Sequence, residues 1–123
     1  MTMSSLSYHV LLALADADRH GYGILKEMEL RSGGAMHPST GALYLALQRM
    51  EEEGLIEESP ERPDPSEDDA RRRYYRLTGK GRTEAAAESQ RLAALVMVAH
   101  EKRLLPSGSL RTVRAGAGGG RQS

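Results

Sequence analysis

The 123-residue sequence contains no cysteine, no tryptophan and no phenylalanine. Without cysteine, the chain can form neither a disulfide framework nor a thiolate metal site. Without tryptophan and phenylalanine, neither of those side chains is available to stack on a flat aromatic ligand. The sequence also lacks a long hydrophobic run, because its longest apolar stretch, residues 92–99, is far too short to span a bilayer. The amino terminus has no basic region followed by a long apolar run, so we expect a cytoplasmic protein with no membrane partner.

Neither sign of charge is in excess. The chain has 17 lysines and arginines and 17 aspartates and glutamates, so its formal net charge is zero and by itself indicates no polyanionic partner. The charges are unevenly placed, however, with acids concentrated in residues 51–69 and bases in residues 71–82. A neutral total is therefore compatible with a local basic patch.

The length predicts one domain followed by a flexible tail. Residues 107–123 are rich in glycine, arginine and serine and are too polar to add to a core. The roughly one hundred remaining residues can fold alone but bury only a modest fraction of their surface. Self-association would therefore be an efficient way to cover exposed apolar residues.

Caps and glycines predict the first two helices. The first begins at Ser4 or Ser5, has apolar residues at every fourth position and ends within residues 16–19. After a short polar link, the segment HGYG (residues 20–23) begins a second helix. The segment SGG (residues 32–34) ends it, because glycine tolerates left-handed backbone angles.

A third helix is predicted by the segment GALYLALQRMEEEG, residues 41–54, with Ser39 as its N-cap and the final glycine at its C-terminal end. Leu43, Leu47 and Met50 have the spacing of a buried stripe. A second face of the same helix carries Thr40, Tyr44 and Gln48.

The next segments predict a hairpin and a last helix. Residues 55–59 and 72–77 are typical of strands, and the connection between them is acidic and rich in turn-forming residues. Because neighbouring strand residues point to opposite faces, we expect one of Tyr74 and Tyr75 to pack inward and the other to face out. Thr78 then caps a helix over about residues 79–105.

The order helix, helix, turn, helix, hairpin is that of a winged helix-turn-helix. We therefore predict a mainly α fold with a small β-hairpin, in which residues 1–78 form a DNA-binding domain and residues 79–106 a long C-terminal dimerisation helix. In this fold the third helix lies in the major groove of double-stranded DNA, and the hairpin reaches along the backbone or toward the minor groove.

The start of the third helix is the first candidate DNA contact. Ser39, Thr40 and Gly41 are small enough to let a phosphate approach the free N–H groups of the helix terminus. The hydroxyl of Tyr44 can donate to a phosphate oxygen, and the amide of Gln48 can match an adenine edge. The alternative is that this face is only the solvated side of an amphipathic helix.

The second candidate contact is the run Arg71-Arg72-Arg73 at the base of the hairpin, where adjacent guanidinium groups can pair with successive phosphates. The alternative is that these arginines neutralise Glu57, Glu58 and the acids of the hairpin tip across the strands.

Three segments together resemble the PadR family of bacterial transcriptional repressors. They are HGYGILKEM (residues 20–28), GALYLALQRMEEEGLIE (residues 41–57) and RRRYYRLTGKGR (residues 71–82), in this order and spacing. The resemblance implies a homodimer that represses a nearby promoter and is relieved by a small molecule or signal. The two-fold symmetry of a dimer then predicts an inverted-repeat operator. It also implies that the last helix joins the two copies, with the first helix assisting.

The apolar side of the last helix has no other obvious cover than a second copy, although the helix could instead fold back on its own domain. The candidate dimer-interface residues are Leu6, Leu92, Leu95, Val96 and Ala99. A site for an effector between the first and last helices is motivated by the family. The candidate effector-binding residues are Tyr8, Leu12, Met97 and Val98.

No pattern indicates an enzyme, a cofactor or a metal. The four histidines lack the spacing of a metal site, and the glycine-rich segments lack the strand-turn-helix context of a nucleotide-binding loop. The rival to DNA binding comes from another class of function. It is a protein-interaction module, in which the winged helix binds a partner protein through the acidic tip of its hairpin.

Overall fold

The structure is a computed structural model that describes residues 3–60 and 73–106. Its elements in chain order are α1 (Ser5–Ala13), β1 (Arg19–His20), α2 (Gly21–Arg31), α3 (Thr40–Glu52), β2 (Ile56–Glu58), β3 (Tyr74–Leu77) and α4 (Gly79–Glu101). The three strands form one antiparallel sheet in the order β1-β3-β2. The mainly α fold with a small hairpin is therefore confirmed. The acidic hairpin tip, Arg71, Arg72 and the predicted tail lie outside the described residues.

The chain divides into two compact units, Met1–Glu88 and Ser89–Ser123. The boundary between the units falls within α4, whereas the sequence analysis places a boundary where this helix begins. The domain limits of the sequence analysis stay a prediction.

The core of the first unit is built from one face each of α1, α2 and α3 and from the sheet. Leu43, Leu47 and Met50 of α3 are each 1% exposed, which confirms the predicted buried stripe. Burying side chains of this size stabilises a fold by about 1.5–3 kcal/mol each. The core residues contributed by the other elements are Val10, Leu11, Ala13, Leu14, Ile24, Met28, Leu55, Ile56 and Tyr75.

A third strand is the main departure from the sequence analysis, which predicts a polar link where β1 lies. In the register of β1 and β3, His20 is opposite Tyr74 and Arg19 is opposite Tyr75. The rings of His20 and Tyr74 meet edge to face, with centroids 5.1 Å apart. Because the ring of His20 in β1 packs against Tyr74 and the ring of Tyr75 lies in the core, both tyrosines are buried, and the expectation that one faces out was wrong.

Local hydrogen bonds and glycines mark where α1 and α2 begin or end. Ser4 caps α1 by accepting from the backbone N–H of Ser7. This helix ends at Ala13, earlier than predicted, where Arg19 Nε donates to the Ala13 carbonyl oxygen at 2.7 Å. The predicted stop after α2 is confirmed, because Gly33 and Gly34 have φ values of 64° and 89°.

The start of α4 is bonded to the end of α3 and the start of β2. Gly54, with a φ of 79°, follows the C-cap of α3. Thr78 accepts at Oγ1 from the N–H of Gly81 and lies within hydrogen-bond distance of the carbonyl oxygens of Gly54 and Leu55, at 2.6 and 3.1 Å. The predicted cap is therefore in place. The helix ends at Glu101, before the predicted end.

Within residues 3–60 and 73–106, no helix has the length and apolar character needed to cross a bilayer. The same residues contain no group of three or more histidine, aspartate and glutamate side chains that could hold a metal ion.

Candidate nucleic-acid interface

The amino-terminal end of α3 is open to solvent. Ser39 has extended backbone angles, and its Oγ accepts from the N–H of Ala42 at 3.1 Å. The first intrahelical bond runs from Leu43 to Ser39, so the N–H groups of Thr40 and Gly41 precede the helical ladder. A side chain added at Gly41 would meet nothing within 4 Å. These N–H groups and the partial positive charge of the helix end can bind an anion.

The exposed side of α3 lies opposite its buried stripe. Thr40, Tyr44 and Gln48 are all exposed, and Tyr44 has 47% of its surface accessible. The structure thus brings the predicted contact residues of α3 to one solvent-facing side. The middle of this side contains Leu45, which is 59% exposed and which the sequence analysis does not single out.

Gly21 sets the position of Tyr44. A Cβ built on Gly21 would lie 2.2 Å from the Tyr44 hydroxyl oxygen and 2.6 Å from the adjoining ring carbon. The ring of Tyr44 therefore lies directly on the backbone of the first turn of α2, and Gly21 is buried. The sequence patterns did not predict this contact. The one feature of the sequence that could have indicated the contact is Gly21 itself, a glycine at the first position of a helix where neither a turn nor a positive φ requires one.

Arg73 lies between two carboxylates. Its Nη2 is 3.2 Å from Glu58 Oε1 and 3.4 Å from Glu51 Oε2, and its guanidinium carbon is 5.8 Å from the centre of the Tyr75 ring. The pKa of Arg73 is raised by its interaction with Tyr75 and by the hydrogen bond to Glu58. At Arg73 the structure thus contains the cross-strand charge pairing that the sequence analysis kept as an alternative.

The neighbouring pair follows the same pattern. Arg76 Nε donates to Glu57 Oε2 at 2.9 Å, and the two residues are directly opposite each other in the register of β2 and β3. Exposed ion pairs of this kind contribute about 0–1 kcal/mol, so an added phosphate can compete for these guanidinium groups.

The candidate residues for assembly and for an effector lie on α1 and α4. In the first unit, Leu6 packs against the core, Tyr8 is half-buried and Leu12 is 44% exposed. In the second unit, Leu92 and Ala99 are half-buried. The four consecutive apolar residues of that unit are exposed by 37–53%, and they are Leu95, Val96, Met97 and Val98.

The sequence matches the model of the Transcriptional regulator PadR-like family over residues 10–87. This match covers the first unit from within α1 to the third turn of α4 and includes every described residue of the exposed side of α3.

Solved structures of transcriptional regulators have a similar fold. A PadR family transcription regulator from Clostridium difficile R20291 is 26% identical, with a TM-score of 0.64, and the match covers 80% of this chain and 97% of that chain. A PadR-like transcriptional regulator from Bacillus cereus is 23% identical, with a TM-score of 0.65, and the match covers 78% and 88%. Bacillus subtilis PadR in complex with operator DNA is 21% identical, with a TM-score of 0.57, and the match covers 68% and 46%.

Two uncharacterised proteins are related in sequence. One, from a transposon of Streptomyces fradiae, is 38% identical over 86 residues, which are 70% of this chain and 22% of that protein. The other, from Lysinibacillus sphaericus, is 33% identical over 73 residues, which are 59% of this chain and 64% of that protein. This chain therefore spans under a quarter of the first relative and under two thirds of the second.

The helix-turn-helix, the three-stranded sheet and the family match agree with one another. The family is one of transcriptional regulators and not of enzymes, as the sequence analysis expects. The chain belongs to the Transcriptional regulator PadR-like family.

Proposed function

We propose that this protein is a sequence-specific DNA-binding repressor that acts as a homodimer on an inverted-repeat operator, with α3 of each copy in a major groove. The observation that supports the proposal most directly is the open amino-terminal end of α3, with Thr40, Tyr44 and Gln48 on its exposed side. The similar fold of Bacillus subtilis PadR, whose structure was determined with operator DNA, is a second support.

The contacts would divide between backbone and bases. The N–H groups of Thr40 and Gly41 would bind a phosphate at the end of α3, and the hydroxyl of Tyr44 would donate to a phosphate oxygen. Gln48, two turns along the helix, would contact an adenine edge. At the hairpin, Arg73 would exchange a carboxylate for a phosphate, and Arg71 and Arg72 would add further phosphate contacts.

A homodimer would place two such surfaces on one duplex. In the second unit, Leu95 and Val96 expose apolar surface together with the neighbouring residues, and a second copy of α4 would remove that surface from water. Leu92 and Ala99 are on the same side of the helix, and Leu6 of α1 would assist. Two-fold symmetry would then set the half-sites about one helical turn, or roughly 34 Å, apart.

Relief of repression by a small molecule is part of the same proposal, supported by the family resemblance. Tyr8, Leu12, Met97 and Val98 stay the candidate effector residues. A screen of small molecules for a change in operator affinity tests this part, and a broad panel without effect would contradict it.

The decisive test of DNA binding is a mobility-shift titration with the DNA immediately upstream of the gene. We expect a specific shift whose affinity falls steeply with salt, with a log-log slope of about 0.9 per neutralised phosphate. Tyr44→Ala should weaken binding about tenfold, because a hydrogen bond to a charged group is lost, while the mass of the protein in solution stays that of a dimer. An absent or salt-insensitive shift would contradict the proposal and favour a protein-interaction module.

A further inference from the structure

The exposed side of α3 contains two residues, Leu45 and Arg49, that the contacts proposed above do not use. Gly41, Leu45 and Gln48 lie opposite the buried stripe, along the middle of the exposed side. Arg49 flanks this line on the side away from Tyr44, one turn after Leu45. It is the only lysine or arginine in α3, and it is exposed.

Arg49 differs in its partners from several of the other described arginines. Arg19, Arg31 and Arg73 each lie within 4 Å of a carboxylate. The guanidinium group of Arg49 has no hydrogen-bond or ion-pair partner among residues 3–60 and 73–106, although Glu52 and Glu53 follow it at helical spacing. Its five donors are thus available to a ligand, without the exchange of partners that Arg73 requires.

The position of Tyr44 separates two roles on the exposed side. Because Tyr44 lies on Gly21 of α2, its hydroxyl is directed to the flank of α3 that borders that helix, and it is suited to the DNA backbone. Leu45 lies in the middle of the exposed side, and Arg49 lies on the flank opposite to Tyr44. A helical side chain leans toward the N-terminus of its helix, so Arg49 extends over the turn of Leu45 and not toward Glu52.

We propose that Arg49 and Leu45 determine the sequence that this protein binds. Arg49 donates two hydrogen bonds to the O6 and N7 atoms of a guanine, and Leu45 contacts the methyl group of a thymine nearby in the same half-site. The inference rests on the proposed function, since it requires α3 to enter the major groove. It adds a preference for guanine and thymine to the adenine contact of Gln48.

The test is selection of binding sites from a randomised duplex pool by the full-length protein and by Arg49→Ala. The unchanged protein should select one strongly preferred guanine in each half-site. Arg49→Ala should lose that preference. The ratio of its affinity for a site with guanine to its affinity for a site with another base should be about tenfold lower than for the unchanged protein. Arg31→Ala removes an equal charge from α2 and should leave the selected sequence unchanged.

Modified bases identify the contacted atoms. Replacing the preferred guanine by 7-deazaguanine removes the N7 acceptor and should weaken binding by the unchanged protein severalfold, but not binding by Arg49→Ala. Replacing the thymine by uracil removes its methyl group and should affect the unchanged protein but not Leu45→Ala. Thermal unfolding of each variant checks that the fold is retained.

The possible failures are distinct. If Arg49→Ala selects the same sequence with the same stringency, or weakens binding to all sequences equally, Arg49 contacts no base and the inference is wrong while the proposed function stands. If the unchanged protein selects no sequence at all, the proposed function itself fails.

Discussion

At the scale of single residues, the exposed side of α3 depends on a residue that has no side chain. Gly21 leaves the space in which the ring of Tyr44 lies, so a glycine of α2 positions a hydroxyl group of α3. Arg49 and Leu45 are exposed for a different reason, because they lie on the side of α3 that faces away from its buried stripe. The candidate interface thus depends as much on which positions lack a side chain or are buried as on which side chains are polar.

Under the proposed function, Gly21→Ala should weaken operator binding with little change in stability. The added Cβ would lie 2.2 Å from the Tyr44 hydroxyl oxygen, so the ring must leave its position. A displaced rotamer and the better helix propensity of alanine largely offset each other, so we expect the free energy of unfolding to change by less than about 1 kcal/mol. A mobility-shift titration and urea unfolding measure the two effects.

Gly23→Ala is the matched control in the same helix. The nearest atoms to its added Cβ are 3.6 Å away, which is ordinary van der Waals contact. It should bind the operator normally and be stabilised by up to about 1 kcal/mol. Equal operator affinities of the two alanine variants would show that the position of Tyr44 does not matter for binding.

Tyr75→Phe should change how stability depends on alkaline pH. Burial raises the pKa of Tyr75 in the folded protein, and this effect is larger than the opposing effect of Arg73. The protonated phenol is therefore favoured by the fold, and its contribution is complete below the unfolded pKa of about 10 and is lost as pH rises toward the folded value. The stability of the unchanged protein, measured against Tyr75→Phe, should fall by at most about 1.4 kcal/mol per pH unit in that window.

Urea unfolding at a series of pH values from 8 to 11 (about 10 being the midpoint expected for a free tyrosine) measures this difference. A difference between the two proteins that stays constant across the series would mean that Tyr75 ionises equally easily when folded and unfolded.

At the scale of elements, the structure depends on close approaches between backbones. The start of α4 lies against the start of β2 because residue 81 is a glycine, and the hydroxyl of Thr78 bonds on both sides of this junction. The hairpin strands are joined by pairs of opposite charge, and β1 covers β3 from the other edge. The position of the hairpin relative to α3 therefore rests on the junction and on the sheet together.

Gly81→Ala should be strongly destabilising. The added Cβ would lie 2.0 Å from the carbonyl oxygen of Leu55 and 3.0 Å from its carbonyl carbon, and backbone atoms cannot move aside as a side chain can. We expect a loss of about 1–3 kcal/mol in the free energy of unfolding, as for overpacking, measured by urea denaturation.

Gly79→Ala serves as the control, because a Cβ at Gly79 meets nothing within 4 Å. Its stability should stay within about 0.5 kcal/mol of the unchanged protein. If both substitutions lower the free energy of unfolding equally, the contact between α4 and Leu55 is not the reason that position 81 requires glycine.

Glu58→Gln should strengthen operator binding. Under the proposed function, Arg73 must leave Glu58 and Glu51 before it can bind a phosphate. Removing one competing charge should therefore raise affinity about two- to fivefold, the range of an exposed ion pair. A mobility-shift titration measures the change.

Glu57→Gln removes the same charge from the same strand but releases Arg76 and not Arg73. We expect Glu57→Gln to raise operator affinity less than Glu58→Gln does. This comparison distinguishes the release of Arg73 from a general reduction of negative charge. In an Arg73→Ala background, Glu58→Gln should add no more than Glu57→Gln does, and a full effect there would contradict the mechanism.

At the scale of the whole molecule, the second unit raises the question of what covers α4. A helix with exposed residues as apolar as Leu95 and Val96 is typical of an interface and not of a free surface. A single copy of a winged helix would contact one half-site only, so dimerisation and operator symmetry belong to the same proposal.

Val96→Glu should dissociate the proposed homodimer, because a carboxylate would be buried in its interface without a partner. Sedimentation equilibrium should then give the mass of a single chain, and operator affinity should fall. Gln90→Glu adds the same charge on the opposite side of α4, where Gln90 is exposed, and should leave the dimer intact. A dimer that withstands Val96→Glu, or an unchanged protein that is already a monomer, would contradict the proposed interface.

The sequence by itself determined the order of the helices and hairpin, the cap at Ser39, the stop at Gly33 and the buried stripe of α3. These features depend on residues at most a few positions apart, so their spacing specifies them. Only the tertiary structure decided that β1 covers Tyr74, that Tyr44 lies on Gly21, that Gly81 meets Leu55 and that Arg73 pairs with Glu51 and Glu58. Each of these contacts joins segments that are distant along the chain, and no local propensity encodes which segments will meet.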